Sequence, residues 1–272
     1  MEVKNRIFGW AFDTLDLPIR FLYSKLNLNR LFFWKLYSSD FKGLDKRFIE
    51  MERLVSKEGF FFKGKVCLEL GPGNSYVNAY NFLVRSAKEV ILVDKFPRQI
   101  ETKKQKELLQ KEIEFFNKKH KAKKLNTKSI EFISKDITET GRLEVDFVYS
   151  ISVFEHLKHV EKTIKKLGEI VKKNGLMYHS IDLRDHYNFR SPFLFYKYSD
   201  KTWKKYLTKE GVSYTNRMRY SEIKKLFLKY GFEIISEEKE RSRLGNTKIS
   251  CDFDIKDRNL NISIWRVLLK KL

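Results

Sequence analysis

Residues 66–75 read VCLELGPGNS, an apolar run holding one acid, Glu69, that gives way to two glycines flanking a proline. Such a run ending in a glycine-rich turn describes a strand feeding a helix, where bare backbone can approach a bound nucleotide-like group. Glu69 within the run calls for a partner, because an unpaired buried carboxylate is costly. The dinucleotide pattern Gly-x-Gly-x-x-Gly is not met. Gly71 and Gly73 are followed by Tyr76, too bulky for the close helix–strand packing that the third glycine serves.

On either side of this stretch the texture of the chain changes. From Lys63 onward, strand-like runs alternate with helical ones: KVCLEL and a helix to about residue 85, EVILVD and a long helix over about 97–122, then SIEFIS, VDFVYSIS, a helix over about 160–173, and GLMYHSIDL. Near-continuous apolar runs such as VILV, separated by helices, predict an open α/β fold whose parallel sheet is covered on both faces. Ligands of such a sheet bind at the carboxyl ends of its strands. An aromatic and basic insertion at about 184–219 interrupts the alternation before a helix over 221–230 and a strand, FEIISE. The closing ISIWRVLLKK is expected as an antiparallel strand at or near the sheet edge. Residues 1–58 carry aromatic and basic residues in helical order and form a helical extension of two or three helices, so the main domain spans 59–272.

The net charge of +21, from 56 Lys and Arg against 35 Asp and Glu, favours anionic partners: nucleic acid, phospholipid or an acidic glycan. The lysines are spread along the chain, which equally describes a solvated basic surface. Cys67 and Cys251 are too few for a disulfide framework, and a reduced buried thiol is expected at Cys67. With neither a run of roughly 18 apolar residues nor the order of a secretory signal, a cytoplasmic protein is expected.

The segment Glu69-Leu-Gly71-Pro-Gly73-Asn-Ser75 resembles motif I of the class I S-adenosylmethionine-dependent methyltransferases, acid-x-Gly-x-Gly-x-Gly, with Ser75 in place of the third glycine. Asp94 ends the second strand, Asp136 in ISKDITE ends the third, and DFVYSISVFEHL resembles the family's fourth-strand segment. The resemblance covers about residues 60–240. It implies a Rossmann-like class I methyltransferase fold with a mostly parallel seven-stranded sheet and S-adenosylmethionine as cofactor. The implied cofactor residues are Glu69, Gly71, Gly73, Asn74, Asp94, Lys95, Asp136, Ile137 and Ser150. A cofactor bearing a sulfonium and an ammonium suits such carboxylates.

Methyl transfer to a hydroxyl needs an acceptor held in line behind the methyl carbon and a group to take its proton. His156, His179 and His186 fall near strand ends on the ligand side. His186 is the expected base with Asp185 as its support, and His156 the second choice. Strand alternation separates Ser180 and Asp182 from His179 and Ile181. The histidines and acids could hold a divalent metal, but they follow no tight ligand spacing and none is expected.

The insertion resembles a segment of methyltransferases associated with bacterial surface polysaccharide synthesis. This implies a sugar hydroxyl of a glycan or lipid-linked precursor as acceptor, met by His179, Asp182, Arg190, Trp203, Asn216, Arg217 and Arg219. The other reading of the insertion is a hydrophobic cap held together by its own aromatics. RNA methylation is the alternative prompted by charge, against which SISVFE stands where amino-group methylation places Asn/Asp-Pro-Pro-Tyr/Phe. A third reading is a non-catalytic cofactor-binding scaffold in a glycan assembly complex. The basic, aromatic residues 17–41 suit either a lid over the core or peripheral contact with an anionic membrane at its inner face.

Overall fold

The computed structural model describes residues 40–96, 103–120, 127–186, 191–207, 214–245 and 247–272, together with Pro18. The seven strands are β1 (Val66–Leu70), β2 (Glu89–Val93), β3 (Ile130–Ile133), β4 (Val145–Ile151), β5 (Val171–Asp182), β6 (Phe232–Arg241) and β7 (Ile262–Lys271). They form one sheet in the order β3-β2-β1-β4-β5-β7-β6. Strands β1 to β5 pair in parallel, whereas β7 runs antiparallel to both β5 and β6, so the sheet is mixed. The closing strand is thus antiparallel as expected, one place in from the edge.

Among the described residues, five α-helices of two turns or more accompany the sheet: α1 (Phe41–Lys57), α2 (Val77–Val84), α3 (Lys103–Lys119), α4 (Val160–Ile170) and α5 (Tyr220–Lys229). The long second helix expected over 97–122 is described from Lys103. The helix expected to run to 173 ends at Ile170, where β5 begins, three exposed residues before its buried stretch.

Each central strand is apolar throughout because both of its faces are covered. In β1, Cys67 packs with Phe48, Met51 and Val55 of α1 and Phe82 of α2, while Leu68 and Leu70 pack on the opposite face with Ile164 and Leu167 of α4 and Phe227 of α5. Alternation therefore turns Glu69 toward the α1–α2 side. Helix α1, placed within the 1–58 extension from sequence, is a layer of this core. Asp45 on it pairs with Lys119 of α3 and accepts from Asn81 Nδ2 of α2 at 3.2 Å, joining three helices. The remaining residues of the extension, 1–39 apart from Pro18, lie outside the described residues.

The aromatic insertion builds a third, smaller core from Phe193, Phe195, Tyr196, Tyr198, Trp203 and Leu207, closed by Leu260. Strand order reverses between β1 and β4. At that switch point two neighbouring strands send their following segments to opposite sides and leave a crevice at their carboxyl ends.

Candidate functional site

The turn after β1 lies at this crevice. Gly71 and Gly73 hold φ of 68° and 60°, in the left-handed region that favours glycine. A Cβ on Gly71 would lie 2.5 Å from Cγ2 of Val153, so the turn passes against the chain leaving β4; at Gly73 nothing lies within 4 Å. Asp94 clamps this turn to the end of β2, its Oδ2 accepting from the Gly73 amide at 3.2 Å and its Oδ1 from the Phe96 amide at 2.8 Å.

Glu69 is 3% exposed. Its Oε1 accepts from Asn78 Nδ2 at 2.6 Å, while its Oε2 has no hydrogen-bond partner among the described residues. The first turn of α2 is closed by a carboxylate. Glu112 of α3 accepts from the Tyr76 amide and, at 3.3 Å, from Ser75 Oγ, which accepts in turn from the Val77 amide at 3.3 Å. This is the work of the serine that replaces the third glycine. With Glu112 it occupies the amides at the start of α2, so that Glu69, Asp94 and Glu112 all stand around the turn.

Burial pushes the Glu69 carboxyl up to about 8; Glu112 and Asp94 add to this, and the bond from Asn78 opposes it. The Asp94 carboxyl is raised too, by burial, against the two amide bonds it accepts. A cationic group in the turn relieves this crowding of negative charge.

A second cluster forms where β4 and β5 end. Ser152, at φ 54°, breaks β4 and donates its amide to the Ser180 carbonyl at 2.8 Å. The chain then makes a tight turn over Phe154–His156. His156 Nδ1 lies 2.6 Å from the Tyr214 carbonyl; a carbonyl only accepts, so Nδ1 carries the proton and Nε2 holds the lone pair. The rings of His156 and His186 are 4.9 Å apart.

Asp182 Oδ2 lies 3.7 Å from His186 Nε2, and the same carboxylate receives Arg184 Nε at 2.9 Å and Nη2 at 2.6 Å. Glu155 is 5% exposed, and among the described residues neither side-chain oxygen has a hydrogen-bond partner. Burial raises its carboxyl to about 8, with His186 opposing and Asp182 adding. Burial, then His186, brings the His156 imidazole down to about 4. Burial also works against a charged His186, but Asp182, Glu155 and Asp185 outweigh it and leave its pKa raised.

The structure brings some expected residues together and assigns others to the framework. Glu69, Gly71, Gly73 and Asp94 converge on the turn, with Asn74 beside them half-buried and Lys95 exposed. Asp136 caps the short turn after β3, its Oδ1 accepting from the Thr138 amide and hydroxyl, and Ile137 is buried behind it. Ser150 is buried against His179, its Oγ 2.8 Å from His179 Nδ1. His179 itself lies between Phe154 and Phe227 with no exposed surface, and burial lowers its pKa to about 3; it is a core histidine and meets no acceptor.

Asp182 lies 3.7 Å from His186 Nε2 and is the principal support of its charged form, and Asp185, the expected support, adds to it. Regular β5 ends at Asp182, and the loop beyond brings His186 back beside it. Arg217 and Arg219 are not a substrate lid. Arg217 donates to the carbonyls of Phe195 and Tyr198, pairs with Asp200 and stacks on Trp203, while Arg219 donates to the carbonyls of Leu183 and Ile262 over the ring of Tyr196. Asn216 Nδ2 is likewise spent on the carbonyls of Phe154 and Leu157. Trp203 donates Nε1 to Thr215 O yet lines a small cavity with Glu155, Asp182, Arg184 and Phe195. Arg190 lies outside the described residues.

Sequence reasoning left Glu155 without a role and missed Asn78, Glu112 and Arg184. The available signal for Glu112 was an acid four residues before the buried Phe116, on the apolar stripe of α3.

A family model for a methyltransferase domain matches residues 44–237, more than half of the chain. The chain belongs to this methyltransferase family. A search of the curated proteins finds no match. Among solved structures, a Haloferax volcanii complex of the Trm112 methyltransferase activator with a methyltransferase aligns at TM-score 0.50 and 13% identity, over 88% of this chain and 95% of that chain. A Listeria monocytogenes chain described as an S-adenosylmethionine-dependent methyltransferase aligns at TM-score 0.49 and 15% identity, over 81% and 97%. Magnesium protoporphyrin IX methyltransferase of Synechocystis PCC 6803, with bound S-adenosylmethionine, aligns at TM-score 0.49 and 12% identity, over 85% and 81%.

The methyltransferase's cofactor is S-adenosylmethionine, and the turn fits it. Glu69 presents an unpartnered buried oxygen, the acids favour a cation, and Gly73 leaves its surroundings open. No helix among the described residues is long and apolar enough to cross a membrane.

Proposed function

We propose that the chain methylates a hydroxyl of a sugar in a cell-surface glycan or its lipid-linked precursor. The observation that carries this reading is the group Glu155, His156, His186 and Asp182, set at the ends of β4 and β5 one turn from the glycine loop. Oxygen acceptors lose a proton as they are methylated, and a cluster of proton-accepting groups beside the methyl donor's turn suits that need. The cavity at the cluster is lined by Trp203, Phe195, Asp182 and Arg184, and its volume of about 20 Å³ admits an acceptor hydroxyl rather than a whole ring.

When bound, S-adenosylmethionine supplies an electrophilic methyl group on a sulfonium. The chain's own residues do the rest. Glu69 and Asp94 position the donor from the turn, and Val153, packed on Gly71, separates that turn from the cluster. His156, held by the Tyr214 carbonyl, keeps Nε2 as an acceptor, and Asp182 orients His186.

The test is incubation of the purified protein with labelled S-adenosylmethionine and either glycan or RNA fractions. Label in the glycan fraction is expected, and label in RNA alone would reject the reading. His186→Ala should keep cofactor binding and reduce transfer by about a hundredfold, the usual worth of a positioned proton acceptor.

A further inference from the structure

We propose that Glu155, His156 and His186 form a binding site for one divalent transition-metal ion of the Mn2+, Fe2+, Co2+ and Zn2+ class. The inference concerns binding and does not depend on which acceptor the methyltransferase uses; an ion held here would occupy the imidazole lone pairs that the metal-free protein offers to a proton and would take over their role. One donor atom from each of the three residues lies within 4.8 Å of the others. Donors around an ion at bond lengths of about 2.1 Å stand roughly 3.0–3.4 Å apart, so small side-chain rotations close the set.

A second, independent observation points to a ligand here. Glu155 is 5% exposed, and among the described residues neither of its side-chain oxygens has a hydrogen-bond partner. Leaving both oxygens of a buried carboxylate unmatched is costly, whereas coordination satisfies them.

The surroundings have the form that supports metal-bound imidazoles. His156 donates Nδ1–H to the Tyr214 carbonyl at 2.6 Å, which fixes its tautomer and reserves Nε2. His186 has the Asp182 carboxylate 3.7 Å away, and Arg184 holds that carboxylate by two side-chain bonds. Two imidazoles and one carboxylate suit ions of intermediate softness better than Mg2+ or Ca2+, which prefer oxygen donors throughout. The position is also suitable for use. Glu155 lines the cavity proposed to hold the acceptor, so an open coordination position there can take an acceptor hydroxyl and lower its pKa.

The test uses the full chain, stripped with chelator and dialysed. Mn2+ is titrated while free Mn2+ is followed by electron paramagnetic resonance, and Co2+ is titrated in parallel by visible absorption. One ion per chain with Kd below about 100 µM and a cobalt spectrum showing nitrogen ligation are expected. Glu155→Gln and His156→Gln should each weaken binding at least tenfold while S-adenosylmethionine still binds. Glu155→Gln keeps the size of the side chain and ends it in a neutral amide, so it should fold at least as well as the parent and keep the comparison valid if His156→Gln does not fold. Absence of saturable binding up to 1 mM of either ion, or binding that Glu155→Gln leaves unchanged, would overturn the proposal.

Discussion

Replacing Glu69 by Gln probes how the turn recognises a cationic cofactor. Gln keeps the size of the side chain and an oxygen for Asn78, which now sits 2.6 Å from Glu69 Oε1, but removes the charge. With its carboxyl raised by burial to about 8, Glu69 in the free protein is protonated in about nine molecules of ten at pH 7. A cofactor ammonium is best met by the carboxylate, so binding expels about 0.9 proton at pH 7, about 0.5 at pH 8 and about 0.1 at pH 9. Affinity should therefore rise about tenfold between pH 7 and pH 9, and about a hundredfold between pH 6 and pH 9.

Calorimetry in buffers of different ionisation enthalpy measures the protons, and expressing Kd as the ratio of wild type to Glu69→Gln cancels the cofactor's own titration. The same shift fixes a stability trend of the free protein. A carboxyl raised from 4.5 to about 8 by folding contributes stability that is fully present below pH 4.5 and is lost as pH rises through about 8. That contribution is at most on the order of 5 kcal/mol. At pH 9 the free Glu69→Gln protein should melt above wild type, although it binds cofactor more weakly. Proton release at pH 7 that is zero, or equal in both proteins, would refute the reasoning.

Three further outcomes follow from the geometry. Gly71→Ala meets both a φ of 68° and a contact of 2.5 Å with Val153, so thermal unfolding should show a loss of about 2–4 kcal/mol together with lost cofactor binding; Gly64→Ala, at φ 72° but with open space, should cost only about 1 kcal/mol. Arg219→Met abandons two buried carbonyls and the stack on Tyr196, and denaturant unfolding should show a loss of about 2–4 kcal/mol, against less than about 0.5 for the exposed Arg142→Met. Asp94→Ala frees the Gly73 and Phe96 amides, and titration should show cofactor affinity falling by about tenfold or more with little change in melting temperature.

The alternation of strands and helices was within reach of the sequence because a parallel sheet imposes short apolar runs separated by helices, and VILV or VDFVYSIS admits few other readings. The termini of the elements were less legible. Where α4 ends and β5 begins depends on the exposed Lys172, Lys173 and Asn174, which suit a helix end or a strand start equally, and pairing of Val171 with Val145 decides it. The acids at the turn were legible for a related reason: a carboxylate inside an apolar strand has few structural uses. Their partners were not, since Asn78 reaches Glu69 only once the chain has turned back into α2, and Glu112 reaches Ser75 from α3, 37 residues further on.

The arginines of the insertion show why composition misleads about a lid. A basic residue among aromatics reads as a hand for an anionic ligand, yet Arg217 and Arg219 spend their donors on carbonyls that the irregular chain around Phe195, Tyr198, Leu183 and Ile262 leaves exposed to them. Irregular backbone has no ladder to satisfy its carbonyls, and a guanidinium with five donors replaces one while its flat face stacks on rings. An aromatic core of such loops therefore needs buried arginines to exist at all. By the same reasoning the informative residues near β4 and β5 are those whose polar atoms the fold leaves unmatched. Among the described residues both Glu155 side-chain oxygens lack a hydrogen-bond partner, and that directs attention away from the arginines and onto the Glu155–His156–His186 cluster.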